Sequence, residues 1–262
     1  MWTLRALLIQ ALARRGDGPL KGRQRRSGHP GTYLRKFAHH MCTQACIEFA
    51  RANLHPADVQ RAAVVEIGSR DVNGSVRSLV NALGPASYIG IDLQAGTGVD
   101  EICDASALVP RFGRDAFDLL ISTELLEHVR DWRAVISQFK QVLKPGGRLL
   151  VTTRSRGFPY HGYPHDFWRF EPADVRAIFS DFQLENVESD SASPGVLFKA
   201  RKPSAFVEND LTRHALFSII TGGRALDVSD EQIETFHRRG RWQRLLRTPE
   251  RFIRRLRDRV RP

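Results

Sequence analysis

The arrangement of short apolar runs limits this 262-residue sequence more than any other feature. Residues 62–67 (AAVVEI) are apolar except for Glu66, which suits a strand buried on both faces. Residues 87–92 (SYIGID), 99–104 (VDEICD), 117–122 (FDLLIS) and 148–153 (RLLVTT) supply four more strands. Residues 72–83 and 132–143 read as helices between them, and Pro145-Gly146-Gly147 turns the chain into the fifth strand. Residues 172–179 add a helical turn or two. Residues 182–189 and 196–202, joined through Ser193-Pro194-Gly195, read as an antiparallel pair. This alternation predicts an α/β fold: a Rossmann-like, doubly wound seven-stranded sheet, mostly parallel, with a closing antiparallel strand.

In such a sheet a ligand sits beyond the carboxyl ends of the strands, near the point where strand order reverses. Strand one is followed by Gly68-Ser69-Arg70-Asp71-Val72-Asn73-Gly74. A glycine there allows close backbone approach and leaves amide groups facing the ligand. Gly68 and Gly74 stand six apart, unlike the dinucleotide fingerprint. Asp92 closes strand two, 24 residues after Gly68, and its carboxylate can accept from both hydroxyls of a ribose. Asp104 closes strand three and can accept from an adenine amino group. Singly, these residues are equally well a turn glycine and helix-capping carboxylates. Their order at successive strand ends is what favours a nucleoside-containing ligand.

The segments VVEIGS, YIGIDL, EICDAS, FDLLISTELLEHV and LKPGGRLLVTT resemble the successive motifs of class I S-adenosylmethionine-dependent methyltransferases of the type 11-like group. The resemblance covers about residues 58–202 and implies S-adenosyl-L-methionine as cofactor. It implies that Glu66 and Gly68, with Ser69 beside them, flank the methionine part of that cofactor. Asp92 with Leu93 would meet the ribose, and Asp104 with Ala105 the adenine. Ser122, Thr123 and Glu124 would line the cleft beside the departing methyl group. The family's first motif is usually richer in glycine, whereas here Ser69-Arg70-Asp71 follow Gly68.

A sulfonium is already an activated methyl donor, so the protein must mainly hold donor and acceptor in line. A base is needed only where the acceptor must lose a proton. Residues 154–170 (RSRGFPYHGYPHDFWRF) are aromatic, broken by Gly and Pro, and rich in His. They resemble the "HDYWRFT" segment of methyltransferases that modify glycans and natural products. They suit a lid over the cleft, or a rigid loop whose aromatics pack on the domain. His161 and His165 are candidate bases, since imidazole titrates near neutral pH. Asp166 could orient a ring or take the proton itself. His128, directly after Glu127, is a rival candidate. No metal set is expected, because His39, His40, Cys42 and Cys46 crowd on a helix where ordinary packing explains them.

The net charge of +11 is concentrated at the ends: residues 1–28 carry +6 and residues 236–262 carry +9, leaving −4 between them. A basic balance so placed does not make the middle a nucleic-acid binder. Residues 1–15 read as an amphipathic helix rather than a secretion signal. The expected organisation is a basic extension and linker at 1–31, a helical segment at 32–57, a cofactor-binding methyltransferase domain at 58–203, and a helical, Arg-rich extension at 204–262. In that tail Phe252, Ile253, Leu256 and Val260 share one side of a helical wheel, with arginines around the rest. Such a helix suits an anionic membrane surface, RNA, or a solvated end. No apolar run approaches the ~18 residues of a membrane-spanning helix. Three cysteines give no disulfide framework and favour a reducing, cytoplasmic location, at the inner membrane face if the tail docks there. The leading functional expectation is O-methylation of a glycan, glycolipid or small-metabolite hydroxyl. RNA methylation is the alternative that the Arg-rich ends suggest. Against it, Ser122-Thr123-Glu124-Leu125 stands where amino-methylating nucleic-acid enzymes carry Asn/Asp-Pro-Pro-aromatic. A non-catalytic cofactor-binding module is the third reading.

Overall fold

In the computed structural model the apolar runs become strands; it describes residues 44–240 apart from 73 and 163. The expected helix at 1–15, the linker, His39, His40 and Cys42, and the Arg-rich stretch from Phe252 to Val260 lie outside the described residues. The strands are β1 (Ala63–Ile67), β2 (Ser87–Asp92), β3 (Glu101–Ile102), β4 (Phe117–Thr123) and β5 (Leu143–Arg154), then β6 (Trp168–Arg169), β7 (Gln183–Ser189) and β8 (Gly195–Arg201). Seven of them form one sheet in the order β3-β2-β1-β4-β5-β8-β7. Neighbours are parallel from β3 to β5, while β8 runs antiparallel to both β5 and β7. Strand order reverses beside β1, which pairs with both β2 and β4.

Helices cover both faces of this sheet, which is why the central strands are apolar throughout rather than alternating. Val65 and Ile67 enter one core with Leu120 and Trp132, while Val64 enters a second with Leu119 and Phe49. Helices α1 (Gln44–Asn53), α2 (Pro56–Val59) and α3 (Arg77–Ala82) contribute to the second core, and α5 (Trp132–Val142), following the short α4 (Leu108–Phe112), to the first. Asp131 caps α5, its carboxylate accepting from the Ala134 amide at 3.2 Å.

Several boundaries depart from the sequence reading. The helix expected from residue 72 starts only at Arg77, because Asp71 accepts from the Gly74 amide and Ser75 Oγ accepts from the Arg77 amide, so local turns hold the chain. Strand β3 is two residues long, since Asp100 spends its carboxylate on Arg77 and on the Gly90 amide. The boundary expected between 57 and 58 does not separate cores: Phe49 and Ala50 of α1 pack with Val64 and Leu119. Nor is there a break at 203. Residues 204–229 are not helical; β9 (Leu216–Ser218) and β10 (Gly223–Ala225) join β6 in a second, three-stranded sheet. Leu216, Ile220 and Val228 complete the first core over Trp168 and Phe170, and helix resumes at residue 230.

Candidate functional site

A cleft of about 290 Å³ opens beyond the carboxyl ends of β1, β2 and β3 and beside the turn after β4. Gly68, Asp92, Leu93, Asp104, Ala105 and His128 line it, as do Arg70, Gln94 and Leu125, which were not among the expected site residues. Gly68 has φ +75°, and a Cβ there would stand 3.2 Å from Leu125 Cδ1, so a larger residue would be strained and would crowd the cleft wall. The amides of Gly68 and Ser69 both donate to the Ile91 carbonyl, at 2.9 and 3.0 Å. The loop therefore offers the cleft close approach rather than free amide donors, contrary to expectation. Asp92 and Asp104 each use Oδ1 locally: Asp92 accepts from the Gln94 amide, and Asp104 from the amide and hydroxyl of Ser106. The capping role and a place in the cleft thus coexist in both carboxylates. Two strand-end carboxylates, a glycine wall and the apolar Ile67, Leu125 and Val135 form a donor set that fits the ribose and adenine of S-adenosylmethionine.

The remaining expected cofactor residues lie outside that lining. Glu66 is buried, its Oε2 accepting from the Tyr88 hydroxyl at 2.5 Å, and burial pushes its pKa up to about 7. Ser69, Ser122 and Thr123 are buried as well. Glu124 occupies a left-handed backbone conformation (φ +55°), uncommon for a residue with a side chain. Its carboxylate pairs with Arg154 and accepts from Thr152 Oγ1 at 3.0 Å. Burial and the adjacent Glu127 push its pKa upward, against Arg154.

Next to the cleft lies a polar group that brings together three of the four expected catalytic residues. Glu127 is fully buried, its Oε2 accepting from Thr153 Oγ1 at 2.8 Å. Burial opposes its charge, but His161, His128 and Arg154 outweigh that and hold its pKa below the ordinary value. His161 Nδ1 donates to Asp166 Oδ2 at 2.8 Å, and its Nε2 stands 3.6 Å from Glu127 Oε1. Burial disfavours the imidazolium, yet the two carboxylates win and raise its pKa to about 9. His161 is therefore protonated at neutral pH, which removes it as a free base in this arrangement. Burial would raise the Asp166 pKa, but Arg169 and His161 hold it well below the carboxylate range. His128 Nδ1 faces the His165 carbonyl at 2.6 Å and so must donate, while its Nε2, 4.0 Å from Glu127 Oε1, has no hydrogen-bond partner among the described residues. The His128 and His161 rings meet edge to face, 4.7 Å apart. The His165 ring stands apart from this group, against Phe167 and His237.

The segment after β5 is fastened rather than free. Phe167, Trp168 and Phe170 are buried in the core. The Phe167 amide donates to the Glu127 carbonyl at 2.7 Å, and Trp168 Nε1 donates to the carbonyls of Val129 and Arg130. Of this segment Pro164 reaches the cleft lining. The rigid-loop reading thus describes the aromatic half. Glu127, Arg154 and Arg169 were given no site role in the sequence reading; the Glu-x-x-Glu-His spacing after β4 was the available signal for Glu127.

A family model described as a methyltransferase domain matches residues 37–189, more than half of the chain. A ubiquinone biosynthesis O-methyltransferase of Parvibaculum lavamentivorans is 29% identical over 70 residues, covering 27% of this chain and 27% of that protein. Phosphoethanolamine N-methyltransferase 2 of Caenorhabditis elegans is 35% identical over 52 residues, covering 20% of this chain and 12% of that one. The matched segment thus spans about a quarter or less of the length of these relatives. The solved structure of Burkholderia thailandensis 1,6-didemethyltoxoflavin-N1-methyltransferase aligns with a TM-score of 0.49 at 18% identity, covering 61% of this chain and 79% of that one. With the domain matched across residues 37–189 and the expected mostly parallel seven-stranded sheet in place, the chain belongs to the class I S-adenosylmethionine-dependent methyltransferases.

Proposed function

We propose that the chain methylates a hydroxyl of a small molecule, glycan or glycolipid, holding S-adenosyl-L-methionine in the cleft between Gly68, Asp92 and Asp104. The observation that carries this reading is one cleft lined by Gly68, both strand-end carboxylates and the His128 imidazole. The cofactor, when bound, supplies a sulfonium methyl group that leaves with its bonding electrons remaining on sulfur. Asp92 and Asp104 would then hold the nucleoside end, and the Gly68 turn would allow the sulfonium end close to β4. A hydroxyl is a poor nucleophile unless its proton leaves as the carbon–oxygen bond forms. The group at Glu127, His128, His161 and Asp166 supplies a place for that chemistry, beside the cleft and largely shut off from water. An amine acceptor would have less need of it. The O-methyltransferase relative supports an oxygen acceptor, and Ser122-Thr123-Glu124-Leu125 speaks against nucleic-acid amino groups.

Incubating the full chain with methyl-labelled cofactor and separate lipid, glycan, small-metabolite and RNA fractions tests the reading. Label should enter an oxygen of one of the first three. Label confined to RNA would overturn it.

A further inference from the structure

We propose that Glu127, His128 and His161 form a site for one divalent transition-metal ion of the zinc class, set in the wall of the cleft. One potential ligand atom from each residue lies within 4.8 Å of the other two. Glu127 Oε1 is 4.0 Å from His128 Nε2 and 3.6 Å from His161 Nε2. Metal–nitrogen and metal–oxygen bonds of about 2.0–2.2 Å put neighbouring ligand atoms about 3–3.5 Å apart. Small inward shifts of the side chains would close the set.

The outer contacts argue for the site more strongly than the distances do. Each side chain is fixed by its far atom: Glu127 Oε2 by Thr153, His128 Nδ1 by the His165 carbonyl, His161 Nδ1 by Asp166. A metal-ligating histidine usually donates its other nitrogen to a carbonyl or carboxylate, and ligating carboxylates are held likewise. The inner atoms are left facing one another. Glu127 Oε1 and His128 Nε2 are buried and, among the described residues, have no hydrogen-bond partner. The His161 imidazolium faces Glu127 Oε1, so a metal ion entering there would displace the proton of His161 Nε2 into solvent, and would give His128 Nε2 the partner it lacks.

The surrounding charges leave this role to Glu127. Asp166 is neutralised by Arg169, and Glu124 by Arg154, which also approaches Asp190. Two imidazoles and one carboxylate suit zinc, iron, cobalt or manganese, and not the all-oxygen preference of calcium or magnesium. Three protein ligands leave a coordination position open, and His128 lines the cleft where an acceptor would lie. Resting on the methyltransferase reading, the ion would take the acceptor oxygen at that position and ease loss of its proton to water in the cleft. His128 would then be a ligand rather than a base.

The test uses the full chain, stripped with a chelator and titrated with Zn²⁺ by calorimetry and with Co²⁺ by visible absorption. One ion per chain is expected, with the Co²⁺ spectrum of a low-coordinate nitrogen–oxygen site. Glu127→Gln and His128→Gln should each weaken Zn²⁺ affinity by at least about 100-fold, and Asp166→Asn, which loosens only the outer contact, by about 10–100-fold. Titration with S-adenosylhomocysteine is run alongside. Cofactor binding without any saturable Zn²⁺ or Co²⁺ binding by the parent chain would overturn the metal site while leaving the proposed function intact. Full metal affinity in folded Glu127→Gln and His128→Gln would overturn it as well. Metal binding that those substitutions abolish, in a chain that ignores the cofactor analogue, would support the site and sink the functional reading.

Discussion

Glu66 is the next-to-last residue of β1, in contact with Tyr88, and its burial sets a pH dependence that can be measured without any substrate. Its pKa is raised from 4.5 to about 7 in the folded chain. The folded state therefore holds the proton more tightly than the unfolded state does. The resulting stability is complete below pH 4.5 and is lost as pH rises to about 7, up to about 3 kcal/mol. Glu66→Gln removes that loss, so denaturant unfolding should show the variant gaining on the parent at pH 8 and much less at pH 5. Equal differences at the two pH values would contradict the assignment. His128 carries a prediction about rate. Whether it binds a metal or takes a proton directly, His128→Ala should lower turnover by at least about 100-fold while S-adenosylhomocysteine affinity stays near the parent's. Some of this was readable beforehand: Gly68, Asp92 and Asp104 stand at strand ends, and strand ends follow from apolar runs. Glu127 was readable only through the Glu-x-x-Glu-His spacing, because its burial beside two imidazoles is set by the fold and not by its neighbours in sequence. Nor could the sequence show that His161 would meet two carboxylates and keep its proton.

Strands β1, β2, β4 and β5 declare themselves because each is apolar over enough residues to fill a two-sided core. Strands β6, β9 and β10 do not, since two or three residues carry no period and β6 finds its partner β9 some 50 residues further along the chain. Yet Leu216 in β9 is fully buried against the first core. Leu216→Ala should cost about 2–5 kcal/mol and lower the melting temperature accordingly, an outcome a dispensable extension would not give. Lys140 shows the same dependence from inside α5. Its Nζ donates to the Ile178 carbonyl, Asp181 Oδ2 and Asn209 Oδ1, each at 2.7 Å, so one buried ammonium joins three segments. Lys140→Met would leave Asp181 buried without its partner, at a cost of about 3–5 kcal/mol.

Across the whole chain, the middle segment that holds the cleft carries −4 and the excess positive charge falls at the two ends. That separation makes the two properties testable apart. If residues 241–262 dock on an anionic surface, their removal should abolish sedimentation with acidic liposomes and leave cofactor affinity unchanged. For the parent, binding should fade in about 0.5 M salt, where the Debye length is only about 4–5 Å. The central claim concerns the cleft itself, and calorimetry of the full chain with S-adenosylhomocysteine tests it most directly. One saturable site is predicted for the parent. Asp92→Ala should keep the fold and weaken binding by about 1–3 kcal/mol, the cost of leaving ribose hydroxyls without their acceptor. Equal affinity in parent and variant would place the cofactor elsewhere and contradict the account.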